Sequence, residues 1–142
     1  MHNGNGRNKR TRRINPRWGI LGFLGFMGFG GIWTYTVQGA VFPFVFFTFF
    51  GFFGFFYEGK MSNVLMDERY MENRTKAQLR AYHLGLSMVA MTLIASTWDW
   101  LFYSNDTKLL FITVALSLTF ALVVFLSEYL LYRYDSKDSG GE

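Results

Sequence analysis

The sequence of 142 residues contains no cysteine and only two prolines. Without a thiol the chain forms no disulfide framework, thiolate zinc site, iron–sulfur cluster or cysteine nucleophile. Charged residues are also scarce, at 17% of the chain against about 25% in an ordinary soluble domain. From Trp18 to Tyr57 there are 40 consecutive residues without Asp, Glu, Lys, Arg or His. So long an uncharged run indicates a membrane protein rather than a free soluble domain.

What the chain has instead is apolar and aromatic, with 51% hydrophobic residues and 17 phenylalanines. A helix crossing a hydrocarbon layer of about 30 Å needs about 20 apolar residues. Forty residues would make an α-helix of about 60 Å, so the first run has to fold back, and Gly39 and Pro43 mark the turn. This run is also too long for the apolar region of a signal peptide, and no A-x-A site follows it, so we expect an uncleaved span.

We therefore predict an all-α fold, a bundle of four transmembrane helices with both termini in the cytoplasm. The helices are expected at 18–37, 41–57, 81–103 and 109–132. Around them we expect a basic disordered tail over 1–17, a charged helical connector over 58–80 and a polar tail over 133–142.

The orientation follows from the distribution of lysine and arginine. The amino-terminal tail holds six of these residues, the 58–80 block five and the carboxyl tail two, whereas the opposite side holds Lys108 alone. Since cytoplasmic loops carry the excess of Lys and Arg, the tails and the connector should face the cytoplasm. Five arginines are candidates for contact with anionic lipid headgroups. They are Arg12, Arg13, Arg17, Arg74 and Arg80.

Glycine and phenylalanine alternate in a three-residue repeat, with Gly22, Gly25 and Gly28 in the first span and Gly51 and Gly54 in the second. With 3.6 residues per α-helical turn, glycines three apart drift around the helix, so we expect them not to line one face. We expect glycine to allow close helix approach while phenylalanine fills the grooves and contacts lipid. The alternative is a site for a sterol or another small apolar ligand between the phenylalanine-rich helices.

The connector is the one segment whose sequence pattern is set by polar and charged residues. Asp67 is placed to cap a helix that continues into the third span, and Glu72 and Lys76 have the spacing of a helical ion pair. After the Gly-Phe hairpin come Met66-Asp67-Glu68-Arg69, Asn73 and Lys76-Ala77. This pattern resembles a family of small prokaryotic multi-pass membrane proteins catalogued as domain of unknown function 3796. The resemblance implies a prokaryotic inner membrane protein and gives the motif residues no role.

No catalytic motif is present: H-E-x-x-H, a P-loop and G-x-S-x-G are all missing. We predict a protein that is not an enzyme and binds no metal or cofactor. Asp99 and Glu128 are the two ionisable candidates within the spans, expected near opposite membrane surfaces. The expected partners are anionic lipid and a second copy or another membrane protein, not nucleic acid. The predicted function is an interaction, regulatory, stress or immunity accessory, and the alternative is a small oligomeric transporter or channel subunit.

Overall fold

The computed structural model describes residues 15–61, 64 and 66–139, which form helices and no strand. A 3₁₀ helix, Pro16–Phe29, continues as α1, Gly30–Gln38, and a second 3₁₀ helix, Phe42–Phe53, continues as α2, Gly54–Lys60. We call Pro16–Gln38 the first arm and Phe42–Lys60 the second arm of a hairpin. α3 is Glu68–Ser96, a short 3₁₀ turn is Asp99–Leu101, and α4 is Asn105–Ser139. The prediction of an all-α fold is confirmed over these residues.

Within the part of the chain that the structure describes, three helices are long and apolar enough to cross a membrane: Pro16–Gln38, Phe42–Lys60 and Asn105–Lys137. α3 is not among them, since its first half carries the charged residues of the connector. α3 also ends at Ser96, so the prediction of a third helix reaching residue 103 is wrong. The hydroxyls of Ser96 and Thr97 donate to carbonyls of their own last turn, and the chain then leaves the helix. α4 runs to Ser139, into the segment expected to be a polar tail.

The two 3₁₀ helices have 14 and 12 residues, whereas most 3₁₀ segments have three or four. A 3₁₀ helix has 3.0 residues per turn, so side chains three apart are eclipsed. The three-residue repeat therefore places Gly22, Gly25 and Gly28 on one face, and all three are buried. The expectation that these glycines do not share a face is wrong, because it assumed α-helical periodicity.

The arms pack against each other in a register that is symmetrical about Gly39. Three glycines of the first arm each lie against one phenylalanine ring of the second, and the members of each pair are equally far from Gly39 in sequence. The pairs are Gly22 with Phe56, Gly25 with Phe53 and Gly28 with Phe50. Gly39 itself has φ 65° and makes the turn, a left-handed conformation that other residues rarely adopt.

The phenylalanines of both arms complete this contact. Three edge-to-face ring pairs join the arms at centroid distances of 5.0 to 5.3 Å: Phe23 with Phe56, Phe26 with Phe53 and Phe29 with Phe50. Each such pair contributes about 0.5–1.5 kcal/mol beyond its buried area. Hydrogen-bond geometry is poorer in a 3₁₀ helix than in an α-helix. We attribute the unusual helix type to this cross-arm packing, which only an exact three-residue period allows.

The helices form a single layer in the order first arm, second arm, α4, α3. Within the described residues, extensive contacts join only neighbours in this order. Gly51 of the second arm lies against Ala121 and Val124 of α4, and Gly85 of α3 lies against Val123 on the far side of α4. The predicted bundle thus takes the form of a layer, because the phenylalanines of the second arm that contact the first arm and the glycines that contact α4 lie on different faces.

Candidate functional site

The cations of the chain gather at one end of the layer. Pro16 lies beside Gly59, where the two arms meet, and Gly54 lies beside Glu128. The Nη1 atom of Arg80 donates to the hydroxyl of Tyr134 over 2.7 Å. These contacts bring together the beginnings of the first arm and α3 and the ends of the second arm and α4. We call this the basic end. Among the described residues, its lysines and arginines are Arg17, Lys60, Arg69, Arg74, Lys76, Arg80, Arg133 and Lys137.

The opposite end carries the Gly39 turn and the 97–104 loop, with Lys108 at the start of α4. Asp99 lies in the short turn of this loop, whereas Glu128 belongs to the basic end. The two residues thus belong to elements at opposite ends of the layer. Arg12 and Arg13 lie outside the described residues.

The motif that follows the hairpin builds the core of the basic end. The Asp67 carboxylate accepts a hydrogen bond of 2.8 Å from the backbone N–H of Tyr70, so the predicted helix cap is confirmed. Tyr70 is 1% exposed and Ala77 0% exposed, and both pack with Met61 and Leu131. Asn73 is buried on the same face of α3. These residues therefore join α3 to α4, which is a structural role.

Other motif residues remain at the surface. Nζ of Lys76 lies 2.7 Å from Oε1 of Glu72, the predicted ion pair, with both side chains more than half exposed. An exposed pair of this kind contributes about 0.3–0.5 kcal/mol. Glu68 and Arg69 are also exposed. A shallow polar depression on α3 is lined by Arg69, Glu72, Asn73 and Lys76, and we call it the polar platform.

The predicted lipid-contacting arginines differ in their surroundings. Arg17 is exposed at the start of the first arm, and Arg74 is half-buried. The guanidinium of Arg80 lies 5.5 Å from the ring centroid of Tyr134, besides its hydrogen bond to that hydroxyl. Arg80 therefore holds α3 to α4 in addition to any contact with headgroups, which the sequence did not indicate.

Glu128 lies on the face of α4 that packs against the second arm. A Cβ atom at Gly54 would be 3.5 Å from Cβ of Glu128 and 3.3 Å from Cα of Phe125. The absence of a side chain at position 54 lets the second arm approach the carboxylate, and Oε2 of Glu128 is buried. Among the residues that the structure describes, no group of three or more His, Asp or Glu side chains is arranged to hold a metal ion.

Sequence reasoning missed an apolar groove of about 350 Å³ beside α4. Its walls come from the second arm, α3 and α4, and include Phe50, Phe53, Met88, Leu118, Leu122 and Phe125. Phe125 also contacts the ring of Tyr57 at 5.8 Å and stacks on Tyr129 at 5.9 Å. The three-residue spacing of Phe50 and Phe53 was the available signal, but the groove also needs α3 and α4, whose positions no local pattern records.

A family model described as a predicted membrane protein, DUF2178, matches residues 14–135. The prediction of membership in the family with domain of unknown function 3796 is therefore wrong. It rested on a short Asp-Glu-Arg triplet and a low-complexity Gly-Phe hairpin, features too general to separate two families of membrane proteins. No curated protein and no solved structure matches the chain.

Proposed function

The chain belongs to the DUF2178 family of predicted membrane proteins, and from this premise we propose a four-span protein of a prokaryotic inner membrane that acts by binding a partner. It is not an enzyme in this proposal. Both termini and the polar platform face the cytoplasm. The observation that carries the proposal is the extension of α3 and α4 beyond the hairpin at the basic end.

A fourth span is supported by the depth of α3 relative to α4. Gly85 of α3 lies against Val123 and Thr119, in the middle of the most apolar helix of the chain. Residues 81–96 of α3 therefore run beside the uncharged part of α4 and share its depth. Leu86, Met91 and Leu93 are at least 60% exposed, which suits a surface that faces lipid.

The distribution of lysine and arginine supports the orientation. Among the described residues, all of them except Lys108 belong to the basic end. Because the chain has no native cysteine, single-cysteine variants report topology without background. We expect a membrane-impermeant maleimide to label Tyr103→Cys in intact cells and Glu68→Cys only after lysis. Labelling of both positions from the same side would mean that α3 does not cross the membrane.

The interaction role is supported by the polar platform. Lys60 contacts Tyr132 of α4 at the end of the second arm, and α4 continues for seven residues to Ser139, about 10 Å further. Charged side chains of α3 beside this extension have no hydrocarbon to contact. A surface that carries Arg69, Glu72 and Lys76 favours a partner with complementary charges rather than lipid tails.

Site-specific photo-crosslinking in native membranes tests the interaction role. A photoreactive residue in place of Glu72 should give one reproducible protein adduct, and the same residue at Tyr103 should not. The adduct should weaken when Lys76 is changed to Glu and persist when the exposed Lys137 is changed to Glu. Absence of an adduct specific to position 72 would contradict the proposal.

A second candidate function, a subunit of an oligomeric transporter or channel, is favoured by the buried Oε2 of Glu128. A single layer of helices encloses no pathway, so transport would need several copies. Proton or cation flux into liposomes that depends on Glu128 and is lost in Glu128→Gln would support this candidate. A monomer without flux would exclude it.

A further inference from the structure

The apolar groove beside α4 continues toward the basic end as a cluster of aromatic rings that carries a lysine. Tyr57 contacts Phe125, a wall of the groove, and also Tyr129 and Tyr132. Nζ of Lys60 lies 5.6 Å from the ring centroids of both Tyr57 and Tyr132. The groove thus passes from hydrocarbon walls to an ammonium group along one side of α4.

We propose that this groove binds one anionic glycerophospholipid, with an acyl chain along Phe53 and Leu122 and the phosphate at Lys60. The site goes beyond the proposed function and needs no protein partner. It differs from a general attraction of basic residues to the membrane, because both the chain and the headgroup have defined contacts.

The dimensions fit one lipid in one leaflet. From Tyr132, level with Lys60, to Leu118 at the far wall of the groove is 14 residues of α4, or about 21 Å. One leaflet with its headgroup region measures about 20–22 Å, half of the whole bilayer. A phosphate at Lys60 therefore places the end of an acyl chain near Leu118.

The charge arrangement favours an anionic headgroup. The faces of the two tyrosine rings attract the ammonium group without supplying a counter-charge, so the group can still attract a phosphate. The contact with Tyr57 and Tyr132 holds the ammonium group above the groove rather than leaving it free to move. A zwitterionic headgroup would bring its own cation near Lys60 and gain less.

The test uses the full chain, extracted from vesicles of phosphatidylcholine and phosphatidylglycerol in a 4:1 ratio, with native mass spectrometry to count retained lipids. The wild type should retain one phosphatidylglycerol in preference to phosphatidylcholine. Lys60→Gln should lower this retention about fivefold, and Lys137→Gln, an exposed lysine of the same end, should not. Leu118→Trp should fill the groove and abolish retention.

Leu116→Trp is the matched control for the groove, since Leu116 and Leu118 are both 39% exposed and Leu116 lines the opposite side of α4. Retention of the two lipids in the 4:1 ratio of the vesicles would show no preference and would overturn the proposal. If Lys60→Gln and Lys137→Gln lowered the retention of phosphatidylglycerol equally, the lipid would be held by the general positive charge of the basic end. That result would also overturn the proposal. Unchanged retention in Leu118→Trp would exclude the groove as the site.

Discussion

Replacing Gly25 by alanine tests the packing of the hairpin directly. A Cβ atom at this position would lie 2.7 to 2.8 Å from three atoms of the Phe53 ring, which is closer than non-bonded carbon atoms approach in proteins. The ring stacks on Phe50 and Phe56 along its own arm, so it has little freedom to withdraw. Overpacking of this kind costs about 1–3 kcal/mol, partly offset by the helix preference of alanine, at most about 1 kcal/mol.

Gly30→Ala is the matched control, because a Cβ atom at Gly30 meets nothing within 4 Å. We expect Gly30→Ala to leave the free energy of unfolding unchanged or raise it by up to about 1 kcal/mol. Unfolding of the purified chain in mixed micelles with increasing dodecyl sulfate, followed by the fluorescence of the four tryptophans of the chain, gives both values. Gly25→Ala should lower the midpoint, and Gly30→Ala should not.

A double-mutant cycle identifies the contact responsible. In a Phe53→Ala background the ring is absent, so Gly25→Ala should lose most of its cost, giving a coupling energy in the range of about 0.5–3 kcal/mol. If Gly25→Ala proves as harmless as Gly30→Ala, the ring of Phe53 does not lie on Gly25. The 3₁₀ register of the hairpin would then be refuted.

Three further predictions concern single positions. Gly39→Ala should lower the free energy of unfolding by roughly 1–2 kcal/mol, and Gly39→Asn should lower it by less, because Asn tolerates a positive φ. Equal decreases for the two variants would mean that the positive φ is not the cause. Asp67→Ala should cost about 1 kcal/mol and speed hydrogen exchange at the Tyr70 amide, and unchanged exchange would mean that the cap is not formed. Ala77→Leu should cost about 1–3 kcal/mol in the same unfolding assay, whereas Leu at the exposed Ala90 should be neutral; similar results at both positions would argue against the α3–α4 contact.

Hydropathy was sufficient to find the hairpin and the last helix. The predicted helix 18–37 lies within the first arm, 41–57 begins one residue before the second arm, and 109–132 lies within α4. These predictions depend on the cost of placing unpaired backbone groups and charges in hydrocarbon, which is large and local in sequence. The boundary of α3 at Ser96 was missed, because Trp98 and Trp100 suit either a helix end or an interfacial loop.

The helix type of the arms could not be obtained from the first arm alone. Gly25 is compatible with an α-helix when the arm is considered in isolation, and the α form has better hydrogen bonds. The choice depends on Phe53, 28 positions away, whose ring needs a face of glycines in exact alignment. A contact between distant segments therefore outweighs the local preference.

At the basic end, the sequence identified candidate residues but not the tertiary contacts that they make. The spacing of Asp67, Glu72 and Lys76 predicted a cap and an ion pair because both interactions are confined to one helix. The burial of Asn73 and Ala77 and the contact of Arg80 with Tyr134 depend on where α4 lies, which no local pattern records. The lysine over the two tyrosines was missed for the same reason.

The 3₁₀ geometry of the arms also sets their length. A 3₁₀ helix rises about 2.0 Å per residue, so the 14 residues of Pro16–Phe29 measure about 28 Å, against about 21 Å in α form. With the nine residues of α1 adding about 14 Å, the first arm reaches about 42 Å, near the roughly 40–45 Å of a whole bilayer with its headgroup regions. Lipid composition and glycine content are consequently linked in this hairpin: in a thinner bilayer the same repeat would be too long, and shortening it would require the phenylalanine rings to leave their glycines.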